Sequence, residues 1–181
     1  KFIYVFHPRF WKKIDINKAE EIFTHSFSPF SVLNKFDGRK DWIVSSTYGR
    51  VYIADSRTGK NIYEGKCRAK SMTSSLLHES KGMLILGGNE RIYSWNFKAE
   101  DSLKQRVIDR SGVITCLKWN KDSTSFFASA NDRKVVQYSF PDFRVIREIK
   151  FGAVGRQIVC FEVLEDEDLI IMVGEDNAIH C

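Results

Sequence analysis

Short stretches in which apolar and polar residues alternate recur along the chain, separated by turns rich in Gly, Asn, Asp and Ser. The clearest run reads Ile-Thr-Cys-Leu-Lys-Trp from Ile114, and after a polar turn it continues with Phe-Phe-Ala-Ser-Ala from Phe126. A tight turn at Asn131 leads to a third stretch from Lys134, and a fourth begins at Val145. Alternation with a period of two, bounded by turn-forming residues, predicts β-strands joined by hairpins. The chain shows no pattern for a helix of useful length.

This order of four predicted strands repeats through the chain. Four segments align with one another, three of them without a gap and the second with a loop two residues shorter; they begin at Ser31, Ser74, Thr115 and Val159. Early in the unit the equivalent small or apolar residues are Val32, Ser75, Cys116 and Cys160. Late in the unit they are Val51, Ile92, Val135 and Ile179, which follow one another in steps of 41, 43 and 44 residues.

Four strands in each unit of forty-odd residues are typical of one blade of a β-propeller. A single sheet of four strands buries neither face well, so such sheets must stack on one another. The sequence therefore predicts an all-β fold, a β-propeller of four-stranded antiparallel blades with about four blade-equivalents present. The predicted units are 1–30 (partial), 31–70, 71–111, 112–154 and 155–181 (partial). Because the first and last units are partial, we interpret the chain as a segment of a longer propeller protein.

The end of each third predicted strand resembles the WD repeat, a family named for a Trp-Asp pair at this place. The stretch Tyr-Ile-Ala-Asp-Ser-Arg-Thr-Gly from Tyr52 is similar to the family's strand ending and its Thr-Gly turn. Asp132 and Asp176 match the family's acidic residue in the turn before the third strand, and Asn89 is a near substitute. The pairs at the Trp-Asp position are Ile14-Asp15, Ala54-Asp55, Trp95-Asn96 and Tyr138-Ser139.

The chain departs from this family in one respect that bears on its energetics. The Gly-His pair that precedes the first strand in WD repeats is absent from every unit. The hydrogen-bonded tetrad that this His would join therefore cannot form, and Asp132 is interpreted as a turn residue only. The resemblance implies a WD-type propeller that acts as a non-catalytic scaffold for protein–protein interactions within a multiprotein assembly.

Composition and motifs do not indicate chemistry. The four cysteines are far apart and form no C-x-x-C pair, which favours reduced thiols and an intracellular protein, cytoplasmic or nuclear. We interpret Cys116 and Cys160 as small core residues of the first strands. The four histidines share no metal-binding motif, no glycine-rich loop precedes a helix, and no apolar run is long enough to span a membrane. We expect no enzyme activity, cofactor, metal, small-molecule substrate or membrane insertion.

The turns between second and third strands are the predicted interaction surface, because in a propeller they all lie on one face. Loops held by a rigid scaffold can bind a partner without having to become ordered. Tyrosine and arginine are frequent at the centres of protein interfaces. The candidate partner-binding residues are Thr47, Tyr48, Arg50, Asn89, Arg91, Asn131, Arg133 and Glu175.

Two alternatives remain at this point. The formal net charge of +5 fits an RNA- or ribonucleoprotein-associated propeller, for example in ribosome biogenesis or RNA processing. The basic residues considered for RNA contact are Arg9, Lys12 and Lys13 beside Phe10 and Trp11, and Lys35, Arg39 and Lys40. The lesser alternative is a substrate receptor of a cullin ubiquitin ligase, since Asp55-Ser-Arg57 resembles the Asp-x-Arg ending with which such propellers dock on their adaptor.

Overall fold

Antiparallel β-strands make up the structure, which is a computed structural model. It describes residues 2–7, 10–26, 35–36, 42–47, 49–55, 58, 60–66, 72–78, 80–99, 106–151, 157–164, 166, 169–176 and 178–180. The strands are β1 (Phe2–His7), β2 (Phe10–Asp15), β3 (Glu20–Ser26), β4 (Lys35–Phe36), β5 (Trp42–Thr47), β6 (Arg50–Asp55), β7 (Asn61–Lys66), β8 (Met72–His78), β9 (Met83–Asn96), β10 (Arg106–Trp119), β11 (Ser125–Ala130), β12 (Lys134–Ser139), β13 (Val145–Lys150), β14 (Ile158–Leu164), β15 (Leu169–Gly174) and β16 (Ile179–His180). Within these ranges no helix has the length and apolar character needed to cross a membrane.

The strands form four sheets, and in each sheet every strand pairs with the strand that follows it in the chain. The sheets are β1-β2-β3, β4-β5-β6-β7, β8 through β13, and β14-β15-β16. All of these pairings are antiparallel, as hairpin connections require.

Strand β9 is a hairpin rather than one straight strand. A straight strand of its 14 residues would separate the two ends by about 45 Å. The backbone N–H of Phe97 nevertheless donates to the carbonyl of Gly82 at 2.9 Å, which brings the residues that flank the two ends together. The chain reverses at Asn89 and Glu90, where Glu90 has a φ of 58°. The segments 83–88 and 91–96 therefore act as a second and a third strand.

Strand β10 belongs to two successive groups of strands. Its residues 106–109 pair with 91–94 of β9, whereas 114–119 pair with β11. Between the two halves the register shifts, and Gly112 has a φ of 85°. The sheet β8–β13 thus consists of two four-stranded meanders, 72–109 and 114–150, joined by a continuous strand.

The core lies between successive meanders, and neighbouring residues of one strand serve different parts of it. Leu84 and Leu86 pack in a first core with residues of β5, β6 and β8, while Ile85 between them packs in a second core. Phe126 joins that second core, and the adjacent Phe127 joins a third core with residues of β14 and β15. Because side chains alternate across a strand, each meander from 72 to 150 is covered on both faces.

Two positions that the sequence places in the core are exposed. Cys160 is exposed, and Ile179 is 71% exposed. The residues at the same repeat positions one unit earlier, Cys116 and Val135, pack in the third core. The interpretation of Cys160 as a small core residue is therefore wrong. Cys116 packs toward β14 and β15, and within the described residues no further sheet covers the corresponding face of β14.

The first core includes one very close approach between two sheets. The indole of Trp95 is 2% exposed and lies directly against Gly65 in β7, where an added Cβ would come within 2.5 Å of its Cζ2 atom. Gly65 is therefore required by packing, since a ring buried among other core side chains has little room to move.

We expect Gly65→Ala to lower the free energy of unfolding by about 1–3 kcal/mol, because the added methyl group overpacks the first core. In a Trp95→Phe background the same substitution should cost less, since the smaller ring leaves space for the methyl group. Urea denaturation of the two single variants and the double variant measures this coupling. Asn61→Ala, on the exposed end of the same strand, is the control and should change stability little. Equal costs of Gly65→Ala in both backgrounds would contradict the assignment.

Candidate interaction surface

The turns that precede the third strands share one backbone conformation. Gly49, Glu90 and Arg133 each occupy the last turn position before the third strand, with φ values of 71°, 58° and 62°. They are 41 and 43 residues apart, in phase with the sequence repeat. We call the turns at 89–90, 131–133 and 175–176 the turn face.

Two of these turns hold charged residues in a conformation that favours glycine. For residues other than Gly, Asn and Asp the left-handed region costs on the order of 1 kcal/mol or more. Glu90 and Arg133 are both exposed, so burial does not explain their presence at these positions. Ala19, Ser123 and Phe143 have the same conformation in other turns, so the positive φ fixes the backbone of these turns but does not by itself mark them as functional. The sequence analysis did not identify Glu90 as a site residue, although Glu90 lies 41 residues after Gly49, at the same position of the repeat.

A cation follows each of the three left-handed positions and pairs with a carboxylate on the fourth strand. Arg50 pairs with Glu64, Arg91 with Asp109 at 3.0 Å, and Lys134 with Glu148 at 3.5 Å. The hydrogen bond to Glu64 raises the pKa of Arg50, and that to Asp109 raises the pKa of Arg91. The sequence grouped Arg133 with Arg50 and Arg91, but Lys134 is their structural equivalent.

Val113 joins two turns of the turn face. It pairs with Asn89 across the β9–β10 ladder, and its backbone N–H donates to Oδ1 of Asn131 at 2.9 Å. The N–H of Asn131 donates in return to the carbonyl of Val113 at 3.1 Å. Gly112 is needed beside them, because a Cβ there would lie 1.9 Å from the Asn131 side chain. The structure thus brings the predicted residues Asn89 and Asn131 together.

The third turn repeats this connection one unit later. The N–H of Glu175 donates to the carbonyl of Gln157 at 3.1 Å, and the Gln157 side chain donates to the Glu175 carboxylate. Asn131 and Val113 lie 44 residues before these two positions. The turns at 131 and 175 are therefore each tied to the residue that precedes the first strand of their own unit, which restricts their motion.

Asp132 is more than a turn residue, contrary to the sequence interpretation. Its Oδ1 accepts hydrogen bonds from Arg110 Nη2 and from the backbone N–H of Lys134, both at 3.2 Å. Its Oδ2 accepts one from the hydroxyl of Ser111 at 3.0 Å. Arg110 and Ser111 stand shortly before the first-strand half of β10, where the WD repeats that the chain resembles carry Gly-His. A different pair of donors thus reaches the same carboxylate.

Burial makes this network energetically important. The side chain of Arg110 is 6% exposed and that of Asp132 is 14% exposed. Arg110 Nη2 also donates to the carbonyl of Lys134 at 3.2 Å, but its Nε is buried without a hydrogen-bond partner. Burial raises the pKa of Tyr138, and the positive charge of Arg110 acts in the opposite direction. Asp132 is thus the carboxylate that neutralises a buried guanidinium.

Part of the predicted site lies outside the described residues. Tyr48, Arg57 and the side chain of Thr47 lie outside the described residues. Asp55 accepts a hydrogen bond from the backbone N–H of Thr58 at 2.9 Å, so its carboxylate stabilises its own turn. Docking of a cullin adaptor at Asp55 and Arg57 stays a prediction.

Of the basic residues considered for RNA contact, only Lys12 has a side chain among those that the structure describes. Lys12 donates to Glu21 at 2.6 Å, which offsets its charge. The side chains outside the described part of the chain are those of Arg9, Lys13, Lys35, Arg39 and Lys40. Among the side chains that the structure does describe, no group of three His, Cys, Asp or Glu could hold a metal ion. Cys160 is a free thiol.

No family model matches the chain, and it has a weak similarity to a curated protein. The chain is 22% identical over 129 residues to the U3 small nucleolar RNA-associated protein 15 homolog of Xenopus laevis. The matched region covers 71% of this chain and 24% of the relative. The chain therefore spans about a quarter of the length of the protein that it resembles. This similarity and the all-β antiparallel structure both fit a WD-like repeat fold.

We expect Asp132→Ala to lower the free energy of unfolding by about 3–5 kcal/mol, because it leaves the buried Arg110 guanidinium without a counter-charge. The equivalent substitution Asp176→Ala should cost only about 1 kcal/mol, since Asp176 is 32% exposed and its contacts with the N–H of Ala178 and with the His180 ring involve no buried guanidinium. Urea denaturation at neutral pH compares the two.

The double variant Arg110→Met/Asp132→Ala provides the second arm of this test. Removing both charges should restore part of the stability that Asp132→Ala loses. A double variant no more stable than the single one, or equal costs at positions 132 and 176, would show that Asp132 acts only through its turn.

Proposed function

We propose that this chain is part of a WD-type β-propeller that works as a non-catalytic interaction scaffold in an RNA-associated multiprotein assembly of the nucleus. Support for the propeller comes from meanders that repeat in steps of 41, 43 and 44 residues and share cores on both faces. A solitary four-stranded sheet has no means of burying two apolar faces, whereas blades stacked around an axis bury both.

The observation that carries the scaffold proposal is the turn face. Glu90 and Arg133 are exposed and held in the left-handed conformation, and the turns that carry them are fixed to Val113 by backbone pairing and hydrogen bonds. A surface that is already ordered loses little conformational entropy when a partner binds. The same side chains on flexible loops would bind more weakly.

Charge at this surface favours a protein partner over RNA. Arg50, Arg91 and Lys134 each pair with a carboxylate of the neighbouring strand, and Glu90 and Glu175 add negative charge. Nucleic acid binding instead requires clustered cations that can replace the counterions of phosphates. Mixed charges in fixed positions suit the polar rim of a protein interface.

The proposed association with RNA rests on the name of the Xenopus laevis relative. The name of the Xenopus laevis protein states an association with U3 small nucleolar RNA, and we carry this setting over to the present chain as part of the proposal. Direct RNA contact by the chain is a second candidate function. It is supported by the net charge of +5 and by the basic residues of the first units.

The turn face can be tested without loss of stability. We expect Glu90→Gly/Arg133→Gly to leave stability unchanged or to raise it by up to about 1 kcal/mol, since glycine accepts a positive φ without strain. The same variant should recover several-fold less U3 small nucleolar RNA from cell extract when the tagged protein is purified, because two anchored charges are lost. Thermal unfolding and quantitative RNA recovery measure the two effects.

The matched control is Asp142→Gly/Arg144→Gly, which removes one charge of each sign from exposed residues of another turn. It should recover as much U3 RNA as the wild type. Equal recovery by all three proteins would show that the turn face is not the interaction surface. Failure of the wild type to recover U3 RNA would refute the proposed assembly.

Direct RNA contact makes its own prediction for the purified chain. Binding to a U3 RNA transcript should weaken steeply with salt, and changing Lys12, Lys13, Lys35 and Lys40 to Gln should reduce the slope of log K against log salt by about 3. Electrophoretic mobility shifts at several salt concentrations measure both quantities. Absence of binding at low salt would remove this candidate and leave the protein scaffold.

A further inference from the structure

A cavity of about 250 Å³ opens between the meander 114–150 and the sheet of β14 to β16. Its walls include Phe127 and Gln137 on one side and Val163 and Ile170 on the other, with Arg147 of the outer strand β13 also lining it. Asn120, in the turn before β11, and Leu169, at the start of β15, also line it, whereas the turn face follows the ends of these strands. The cavity therefore lies toward the opposite ends of the strands from the turn face.

The sequence repeat explains why space is left here. Val163 and Ile170 stand 44 residues after Trp119 and Phe126, which occupy the same positions one unit earlier. In that earlier gap the Trp119 ring meets Phe126 edge-on, with centroids 5.9 Å apart, and meets Phe140 at 5.0 Å. Two smaller aliphatic residues in the later gap take the place of an indole and a phenyl ring. The vacant space thus corresponds to a position that aromatic side chains fill in the neighbouring unit.

One wall of the cavity carries an oriented cation. Arg147 Nε donates to Oε1 of Gln137 at 2.8 Å, and Gln137 Nε2 donates to the hydroxyl of the buried Ser125 at 2.8 Å. The guanidinium carbon lies 5.7 Å from the centroid of the Phe127 ring. These contacts fix the guanidinium through Nε and leave its two terminal amino groups for an acceptor. Within the described residues no carboxylate pairs with Arg147.

We propose that this cavity binds an aromatic side chain of a partner polypeptide, with a neighbouring carboxylate of the same partner on Arg147. The volume lies below the range of roughly 300–1,000 Å³ usual for small-molecule sites, which suits a single inserted side chain. Aromatic side chains that enter pockets are common anchors of protein interfaces, and the planar guanidinium binds carboxylates through two parallel hydrogen bonds. The cavity is separate from the turn face, so the proposal for one site can be wrong while the proposal for the other holds.

N-acetyltryptophan is a suitable probe, because it carries an indole and a carboxylate in one small molecule. Titration of the ¹⁵N-labelled chain should shift amide resonances around the cavity, with a Kd on the order of 1 mM for so small a ligand. N-acetyltryptophanamide lacks the carboxylate and should bind several-fold more weakly. Absence of saturable binding by the wild type, or equal affinity for the acid and the amide, would overturn the proposal.

Two variants and their controls locate the binding. Val163→Trp inserts the residue that the preceding unit carries at this place, and it should abolish probe binding, whereas Val107→Trp on an exposed position of β10 should not. Arg147→Gln should weaken binding of the acid to the level of the amide, and Arg144→Gln should leave it unchanged. Arg147 lies on an exposed strand, so Arg147→Gln should fold and should test the proposal even if Val163→Trp does not fold. Unchanged affinity in Arg147→Gln would overturn the proposal.

Discussion

Apolar side chains on both faces of the same sheet impose the constraint on which this structure depends. Leu84 and Ile85 are adjacent in sequence and both inaccessible to solvent, yet they point into different cores. Apolar surface gains roughly 25 cal/mol for each Å² removed from water, so leaving either face uncovered would forfeit a large part of the stability. Each meander from 72 to 150 is therefore stable only with a neighbour on each side. The turn face and the cavity are both consequences of that stacking, since one lies at the ends of the stacked strands and the other in a gap between them.

The alternation along the chain was sufficient to predict the strands. The stretches from Ile114, Phe126, Lys134 and Val145 all lie in strands of the structure, and the end of the third strand in each unit falls near the Trp-Asp position. Period-two patterning reports which residues face a core, and that information is local. The pattern could not show that Cys160 is exposed within the described part of the chain, because burial depends on what packs against a strand and not on the strand itself.

The interaction surface was less accessible to sequence reasoning. The turn positions Asn89, Asn131 and Glu175 were found from the repeat, but the left-handed conformation of Glu90 and Arg133 was not, because neither residue type favours it. The link between Arg110 and Asp132 joins residues 22 positions apart through side chains alone, and no local pattern reports such a contact. Absence of the Gly-His pair suggested that the carboxylate had lost its partners, whereas the structure supplies different ones. A motif can thus disappear while the interaction that it served persists with other donors.

The continuity of strand β10 has a consequence for how such a chain can evolve and unfold. In many repeat proteins a unit ends in a loop, so that units can be duplicated, deleted or exchanged by recombination within that loop. Here the fourth strand of one meander runs on as the first strand of the next, with only a kink at Gly112 between them. A cut at this point would separate the last strand of one meander from the first strand of the next. These two meanders are therefore joined mechanically, and loosening of one is transmitted along a single backbone to the strand pairing of the other.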